Sequence, residues 1–186
     1  METEEILLEA EERMENAVEA LHNAFGSVRT GRASGKVLDR IRVDYYGAMT
    51  PINQLAGVKA PDAHLLVIEP WDKSSLKSIE RAIMESDLGV TPSNDGMVIR
   101  LPFPELTEER RRELVKLCKG YAEDARVSVR NARRDANTAL SKAEKASEIT
   151  DDDLRRGEND VQKLTDKYIA KIDEAFKAKE AEVMEI

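Results

Sequence analysis

Three stretches of this sequence place apolar residues three and four apart over several turns, and that spacing leaves few choices of fold. In the first, Leu7, Ala10, Met14, Ala17, Leu21, Ala24 and Val28 recur with glutamates between them. In the second, running from about Thr107 to about Lys145, the line is Leu114, Leu117, Tyr121, Ala125, Ala132, Ala136 and Ala139. The third follows Thr150 and reads Leu154, Val161, Leu164, Tyr168, Ile172 and Ala175. Each predicted helix has one apolar face and none is apolar all round, so the three must cover one another. Near-heptad spacing with small residues predicts close, slightly crossed, left-handed packing. An elongated three-helix bundle is the simplest solution. Thr107 and Thr150 stand where N-caps belong, and the acids that follow each suit the positive end of a helix dipole. Charged residues make up 35% and aromatics 4% of the chain, a balance that suits narrow buried stripes better than a thick core.

Between the first two helices the pattern changes. RIRVDYYG alternates as a half-buried strand does, with Ile41, Val43 and Tyr45 on one face. TPINQLAGVKAP, with Pro51, Gly57 and Pro61, reads as turns. HLLVIEP reads as a short strand, KSSLKSIERAIMESD as an amphipathic helix bearing Leu76, Ile79 and Ile83, and TPSNDGMVIRLPFP as an Asn94-Asp95-Gly96 turn leading into a strand. The expected fold class is therefore α+β. Residues 1–29 and 106–186 form the three-helix bundle, and residues 30–105 form an inserted small β/α/β domain. Two short crossings join them, Arg29-Thr30-Gly31-Arg32 outward and Leu101-Pro102-Phe103-Pro104 on the return. Gly31 can take unusual backbone angles, while Pro102 and Pro104 continue neither ladder nor helix. The crossings, near 29–32 and 101–105, are thus expected to act as hinges, with a rigid elbow as the alternative.

The charge distribution points to a partner. The net charge is −8, yet it is uneven. Residues 1–28 hold eight acids and one base, whereas residues 107–137 hold nine bases and six acids. In that second region Arg112, Lys116, Lys119, Glu123, Arg126, Arg130 and Arg133 follow spacings of three and four, so they share one helix face. Six of the seven are basic. They make a rail roughly 30 Å long, flanked by Arg110, Arg111 and Arg134 and extendable by Arg29 and Arg32. Like charges stacked at this spacing weaken an isolated helix, and only Glu123 opposes them on their own line. Arginine forks suit bidentate phosphate contacts. A structured RNA backbone, read by shape and phosphate, is the partner expected, and the absence of interleaved aromatics speaks against single-strand stacking.

Little in the chain suggests catalysis. His22 and His64 stand apart without a constellation, and no Gly-rich phosphate loop, G-x-S-x-G or metal-spaced cysteines occur. Cys118, the single cysteine, adjoins the apolar stripe as a small core residue, and it implies a reducing compartment. Trp71 reads as a core or turn anchor, with an exposed partner contact as the alternative. No apolar run approaches the roughly 20 residues of a membrane span, and the acidic start is unlike a targeting peptide. These features lead to the expectation of a cytoplasmic monomer that is not an enzyme and needs no cofactor or metal.

Several co-linear motifs carry a resemblance along essentially the whole chain: RTGRAS at 29–34, DYYG at 44–47, TPINQLA at 50–56, SDLG at 86–89, LTEERRRELVK at 106–116, ARVSVRNARRDAN at 125–137 and QKLTDKYI at 162–169. In these the chain resembles bacterial ribosome recycling factors. The resemblance implies an L-shaped molecule whose bundle contacts large-subunit rRNA on the post-termination ribosome. It implies that, with elongation factor G and GTP, the protein splits that ribosome into subunits and frees it from mRNA, the GTPase chemistry being the partner's. It also implies that Arg29, Arg32, Arg110, Arg130 and Arg133 face rRNA. Together with the rail, the expected rRNA-binding set is Arg29, Arg32, Arg110, Lys116, Lys119, Arg126, Arg130, Arg133 and Arg134, and the expected hinge set is Thr30, Gly31, Pro102, Phe103 and Pro104. Gly35 departs from the family's usual proline, and Phe103 from a commoner aliphatic residue.

Two other readings compete: a helical ribosome-associated RNA-binding adaptor without splitting activity, and a coiled-coil scaffold, which leaves the rail without a role. An rRNA binder loses affinity steeply as salt rises, whereas a scaffold docking through an apolar face does not.

Overall fold

Both predicted cap residues open a helix. Thr107 Oγ1 accepts from the backbone N–H of Arg110 at 3.1 Å, at the start of the helix spanning Glu108–Lys145 (α3). Thr150 Oγ1 accepts from Asp153 N–H at 3.1 Å, and Asp153 Oδ2 accepts from Thr150 N–H at 3.2 Å. This reciprocal box starts the helix Asp151–Met184 (α4). The first helix, α1, spans Thr3–Gly26, and α2 spans Leu76–Glu85. The turn from α3 to α4 is closed by Glu148 N–H on Ala143 O and Ser147 N–H on Glu144 O, with Ser147 left-handed at φ 60. That is a Schellman closure, which satisfies the last carbonyls of α3. This computed structural model describes residues 2–30 and 33–185. Gly31 and Arg32, expected in the hinge and the RNA-binding set respectively, lie outside the described residues.

The chain divides into two compact units. One comprises residues 1–25 and 116–180, the other residues 26–115 and 181–186. In the first unit the three long helices bury one seam each. Ile6 and Ala10 of α1, Ala136 and Leu140 of α3, and Val161 of α4 form one cluster. The seams follow most of the expected stripes, with Ala10, Met14, Leu21, Leu114, Ala125, Ala132, Ala136, Val161, Tyr168 and Ile172 buried, and depart from them at particular positions. On α3 the buried line is Cys118, Ala122, Ala125, Val129, Ala132, Ala136, Leu140 and Ala143, while Leu117 stays 45% exposed. On α1, Ile6 and Val18 are buried, whereas Leu7 and Ala17 are half-buried. The larger side chains misled because a few weakly apolar residues, chiefly Cys118 and alanines, complete the inner line. Glycine serves close packing at Gly157: a Cβ there would stand 2.9 Å from a Leu140 methyl. Polar ties flank the seam. The hydroxyl of Tyr168, itself 1% exposed, donates to Glu11 and Glu15 at 3.0 Å each, and Arg13 donates to Asp135 at 2.8 Å.

Among the described residues the second unit holds six strands. β1 (Arg42–Tyr45) and β2 (Ala48–Pro51) form a hairpin. Its turn, Tyr46-Gly47, has φ of 50 and 85, matching the right-handed strand twist that a two-residue hairpin needs. β3 (Ala56–Asp62), β4 (Leu65–Pro70), β5 (Ser93–Asn94) and β6 (Ile99–Pro102) form an antiparallel sheet in the order β3-β4-β6-β5. Ile79 and Ile83 of α2 pack on Ile68, Ile99, Leu101 and Val43 in one core. Three sequence expectations need correction. The stretch read as turns contains β3, an edge strand whose register shifts between Lys59 and Asp62, around Pro61. Leu101 and Pro102 of the returning crossing belong to β6, and Phe103 N–H still reaches His64 O at 2.6 Å. Trp71 is no core anchor, since it is 70% exposed.

The Asp95 turn titrates with a defined sign. Its carboxylate accepts from Val98 and Met97 N–H groups, each at 2.9 Å, and from Arg100, which pulls its pKa to about 2. A depressed carboxylate contributes stability that is full above pH 4 and is lost as pH falls through about 2. Carbon-detected NMR of the Asp95 carboxyl should therefore show a midpoint near 2. A midpoint at the ordinary aspartate value would mean the turn does not hold it.

Candidate nucleic-acid interface

Turning 100° per residue, the buried seam of α3 lies opposite Lys116, Arg130 and Arg134. All three are exposed, as is Lys119. Lys116 and Lys119 have no carboxylate partner among the described residues. Arg134 is loosely placed at 3.8 Å from Asp135, its side chain 71% exposed. Arg133 turns toward one flank and reaches Gln162 Oε1 at 3.5 Å. These five form the accessible basic face of the helix in the first unit.

Arg126 is placed differently from expectation. It stands on the shoulder of the seam, and its side chain is only 22% exposed. Its Nε and Nη2 donate to Asp173 Oδ1 of α4 at 3.0 and 2.7 Å, and its Nη1 approaches Glu123 at 3.3 Å. The hydrogen bond to Asp173 raises its pKa despite the opposing effect of burial. Glu123 also accepts from Arg130 at 3.2 Å. The rail is thus less bare of acids than its own line suggests: Glu123 serves two arginines, and Asp173 arrives from another helix. At the helix start Arg112 pairs with Glu108 at 2.6 Å, one turn earlier. Exposed pairs such as Arg112–Glu108 and Arg130–Glu123 contribute about 0–1 kcal/mol, so either arginine can leave its carboxylate at little cost.

In the second unit Arg29 and Arg110 have commitments of their own. Arg29 stacks over the Phe103 ring, 5.2 Å from its centroid, and a terminal N–H donates to the Pro104 carbonyl. Burial, then the neighbouring Arg110 charge, lowers its pKa. Arg110 donates to Glu113 at 2.8 Å and remains exposed. Phe103, expected in a hinge, is 1% exposed within the core, while Thr30 is half-buried and Pro102 and Pro104 are exposed. Arg111, on the inner side of α3, reaches the Met184 carbonyl at 3.4 Å, and its Nε is buried without a partner among the described residues. Cys118 is fully buried, and burial pushes its thiol up to about 11, as befits a core residue. No helix of the described residues is long and apolar enough to cross a membrane.

The arginines therefore separate by stability. Removing Arg126 leaves Asp173 without its partly buried partner, at a cost of about 1–2 kcal/mol. Arg126→Ala should lower the melting temperature by about 2–6 °C, while Arg130→Ala leaves it within about 1 °C. Equal melting temperatures for both variants would contradict this division.

Comparison with known proteins agrees along the chain. Residues 21–184 match the family model for ribosome recycling factor. The chain is 58% identical over 181 residues to the ribosome-recycling factor of Oleidesulfovibrio alaskensis, covering 97% of this chain and 98% of that one. It is also 58% identical over 183 residues to that of Bacillus thuringiensis, covering 98% and 99%. A solution structure of the ribosome recycling factor matches with TM-score 0.79 at 44% identity, covering 100% of this chain and 99% of the other. A further match, with TM-score 0.67 at 43% identity and coverage of 99% and 100%, comes from models of the T. thermophilus ribosome recycling factor and the E. coli elongation factor G bound to the E. coli post-termination complex. A helical framework capped at the predicted threonines, a small antiparallel domain between its helices and near-complete coverage at this identity admit one conclusion: the chain belongs to the ribosome recycling factor family.

Proposed function

We propose that this protein recycles ribosomes: it enters the post-termination ribosome and, with elongation factor G and GTP, splits it into subunits and releases it from mRNA. The observation that carries this reading is the 58% identity to ribosome-recycling factors over 97% of the chain. The exposed basic face of α3 supplies the physical means. Lys116, Lys119, Arg130, Arg133 and Arg134 meet large-subunit rRNA through phosphates, with fixed positive charge on a rigid helix reading backbone shape. Arg29, Arg32 and Arg110 contribute at the crossings, and Arg126 contributes mainly by holding α3 to α4 beside them. Residues 1–29 and 106–186 act as the rRNA-binding domain and residues 30–105 as the inserted domain. Thr30, Gly31, Pro102, Phe103 and Pro104 form the hinge, in which Arg29 on Phe103 and Pro104 sets the resting geometry of the crossings. The protein is a cytoplasmic monomer that performs no chemistry of its own. GTP hydrolysis belongs to elongation factor G.

Splitting is read directly by light scattering of post-termination ribosomes. A drop in scattering should require this protein, elongation factor G and GTP together. The Arg130→Ala/Arg133→Ala variant should need about tenfold more protein for the same rate, the scale expected when two charge-assisted contacts are lost. Salt-sensitive binding to large subunits without any drop would instead identify an adaptor, and a drop without elongation factor G would contradict the proposed division of labour.

A further inference from the structure

Both crossings of the chain are tied to the same turn. On the outgoing side the Ala33 N–H donates to the Ala63 carbonyl at 2.6 Å, and on the return the Phe103 N–H donates to the His64 carbonyl at 2.6 Å. Ala63 and His64 are the two residues between β3 and β4, whose last register pair is Asp62 with Leu65. The residues that donate are anchored by their side chains too: Phe103 is 1% exposed in the core of the second unit, and Ala33 packs against that core. Arg29 adds a third tie, from ahead of the outgoing crossing to the Phe103 ring and the Pro104 carbonyl. All of these residues lie within the second unit.

The turn itself is held by a side chain. Two-residue hairpins favour turns with positive φ, which match the twist of the flanking strands. Neither Ala63 nor His64 has a positive φ, and the β3–β4 register shifts just before them, between Lys59 and Asp62. Asp62 Oδ1 accepts from the His64 N–H at 2.6 Å. The carboxylate thus closes a turn that its own backbone angles do not favour. In doing so it sets where the Ala63 and His64 carbonyls stand, and with them where the two crossings come together. The donors are fixed at Ala33 and Phe103, so bending of the crossings falls ahead of Ala33 and beyond Phe103. Without this seat the crossings are two independent segments, each with its own backbone freedom.

We propose that the Asp62–Leu65 turn is the seat of the joint between the two domains, with Asp62 as its positioning residue and Arg29 as a side-chain latch beside it. The seat gathers both crossings at one point, so that the inserted domain swings about a single pivot and not on two loose tethers. The inference rests on the hinge reading above and narrows it: Phe103 is anchorage, and bending on the return begins beyond it.

The test combines amide hydrogen exchange with residual dipolar couplings on the full chain. In Asp62→Ala the amides of Ala33 and Phe103 should exchange about fivefold faster, the scale of one weakened hydrogen bond. Amides of the β4–β6 ladder should keep their protection, which also shows that the variant folds. Couplings from the unaltered protein should fit a narrow range of orientations between the two units, and those from Asp62→Ala should require a wider one. Asp62→Asn, which keeps the Oδ1 acceptor and drops the charge, should restore both readouts. Unchanged exchange at Ala33 and Phe103 in Asp62→Ala overturns the seat. Faster exchange there with the range of orientations unaltered overturns the pivot, and the hinge reading stands without it. If one fixed orientation fits the unaltered protein and the Arg29→Ala/Asp62→Ala variant alike, the hinge reading itself is refuted.

Discussion

A buried line of small side chains along α3 is the constraint on which the rest of the first unit depends. Ala122, Ala125, Ala132, Ala136 and Ala143 are each at most 6% exposed, and Val129 and Leu140 complete the seam. Small residues let the helices approach closely, and they confine burial to a narrow arc of the cylinder. Most of what lies outside that arc is polar, and α3 carries its arginines and lysines there. Gly157 of α4 serves the same end by making room for Leu140. The Tyr168 hydroxyl between Glu11 and Glu15, with Lys167 at 3.8 Å from Glu11, links α1 to α4 at the margin of the seam. Close packing and a charged exterior are thus two results of one choice of side-chain size.

Position relative to that seam then sorts the basic residues by role. Those opposite it, such as Lys116 and Arg134, are solvated and accessible. Arg126, on its shoulder, is drawn into a bond with Asp173 and acts chiefly on packing. Arg29 is drawn toward Phe103 and Pro104 in the same way. An arginine's place in a motif therefore does not settle its work, since the same guanidinium can face phosphate or tie two segments together. The acidic surface elsewhere, most concentrated in residues 1–28, repels RNA. On the proposed reading, that repulsion limits binding to surfaces that fit the one basic face.

Helix boundaries were legible in the sequence because caps are local: Thr107 and Thr150 act within three residues of themselves. The apolar stripes were legible too, but not every position on them. Leu117 and Val127 are strongly apolar yet exposed, whereas Cys118 and Ala122 are weakly apolar yet buried, and only the packed neighbours decide between them. β3 was hidden because Gly57 and Pro61 resemble turn residues. It lies at a sheet edge with a shifted register, where a proline is tolerated. The basic face was visible from spacing alone, but its carboxylate partners were not. Asp173 stands 47 residues from Arg126, and no periodicity within one helix could find it.

The central claim is that one face of α3 lies against rRNA while the outer face of α1 does not. Tethered hydroxyl-radical probing measures this directly. The native Cys118 is buried and its thiol is pushed up to about 11, so a cysteine introduced on the surface is labelled selectively. Iron tethered at Thr138→Cys should cut large-subunit rRNA strongly in the post-termination complex, and iron at Glu12→Cys on α1 should cut it weakly. Strong cleavage from position 12 with none from position 138 would contradict the account.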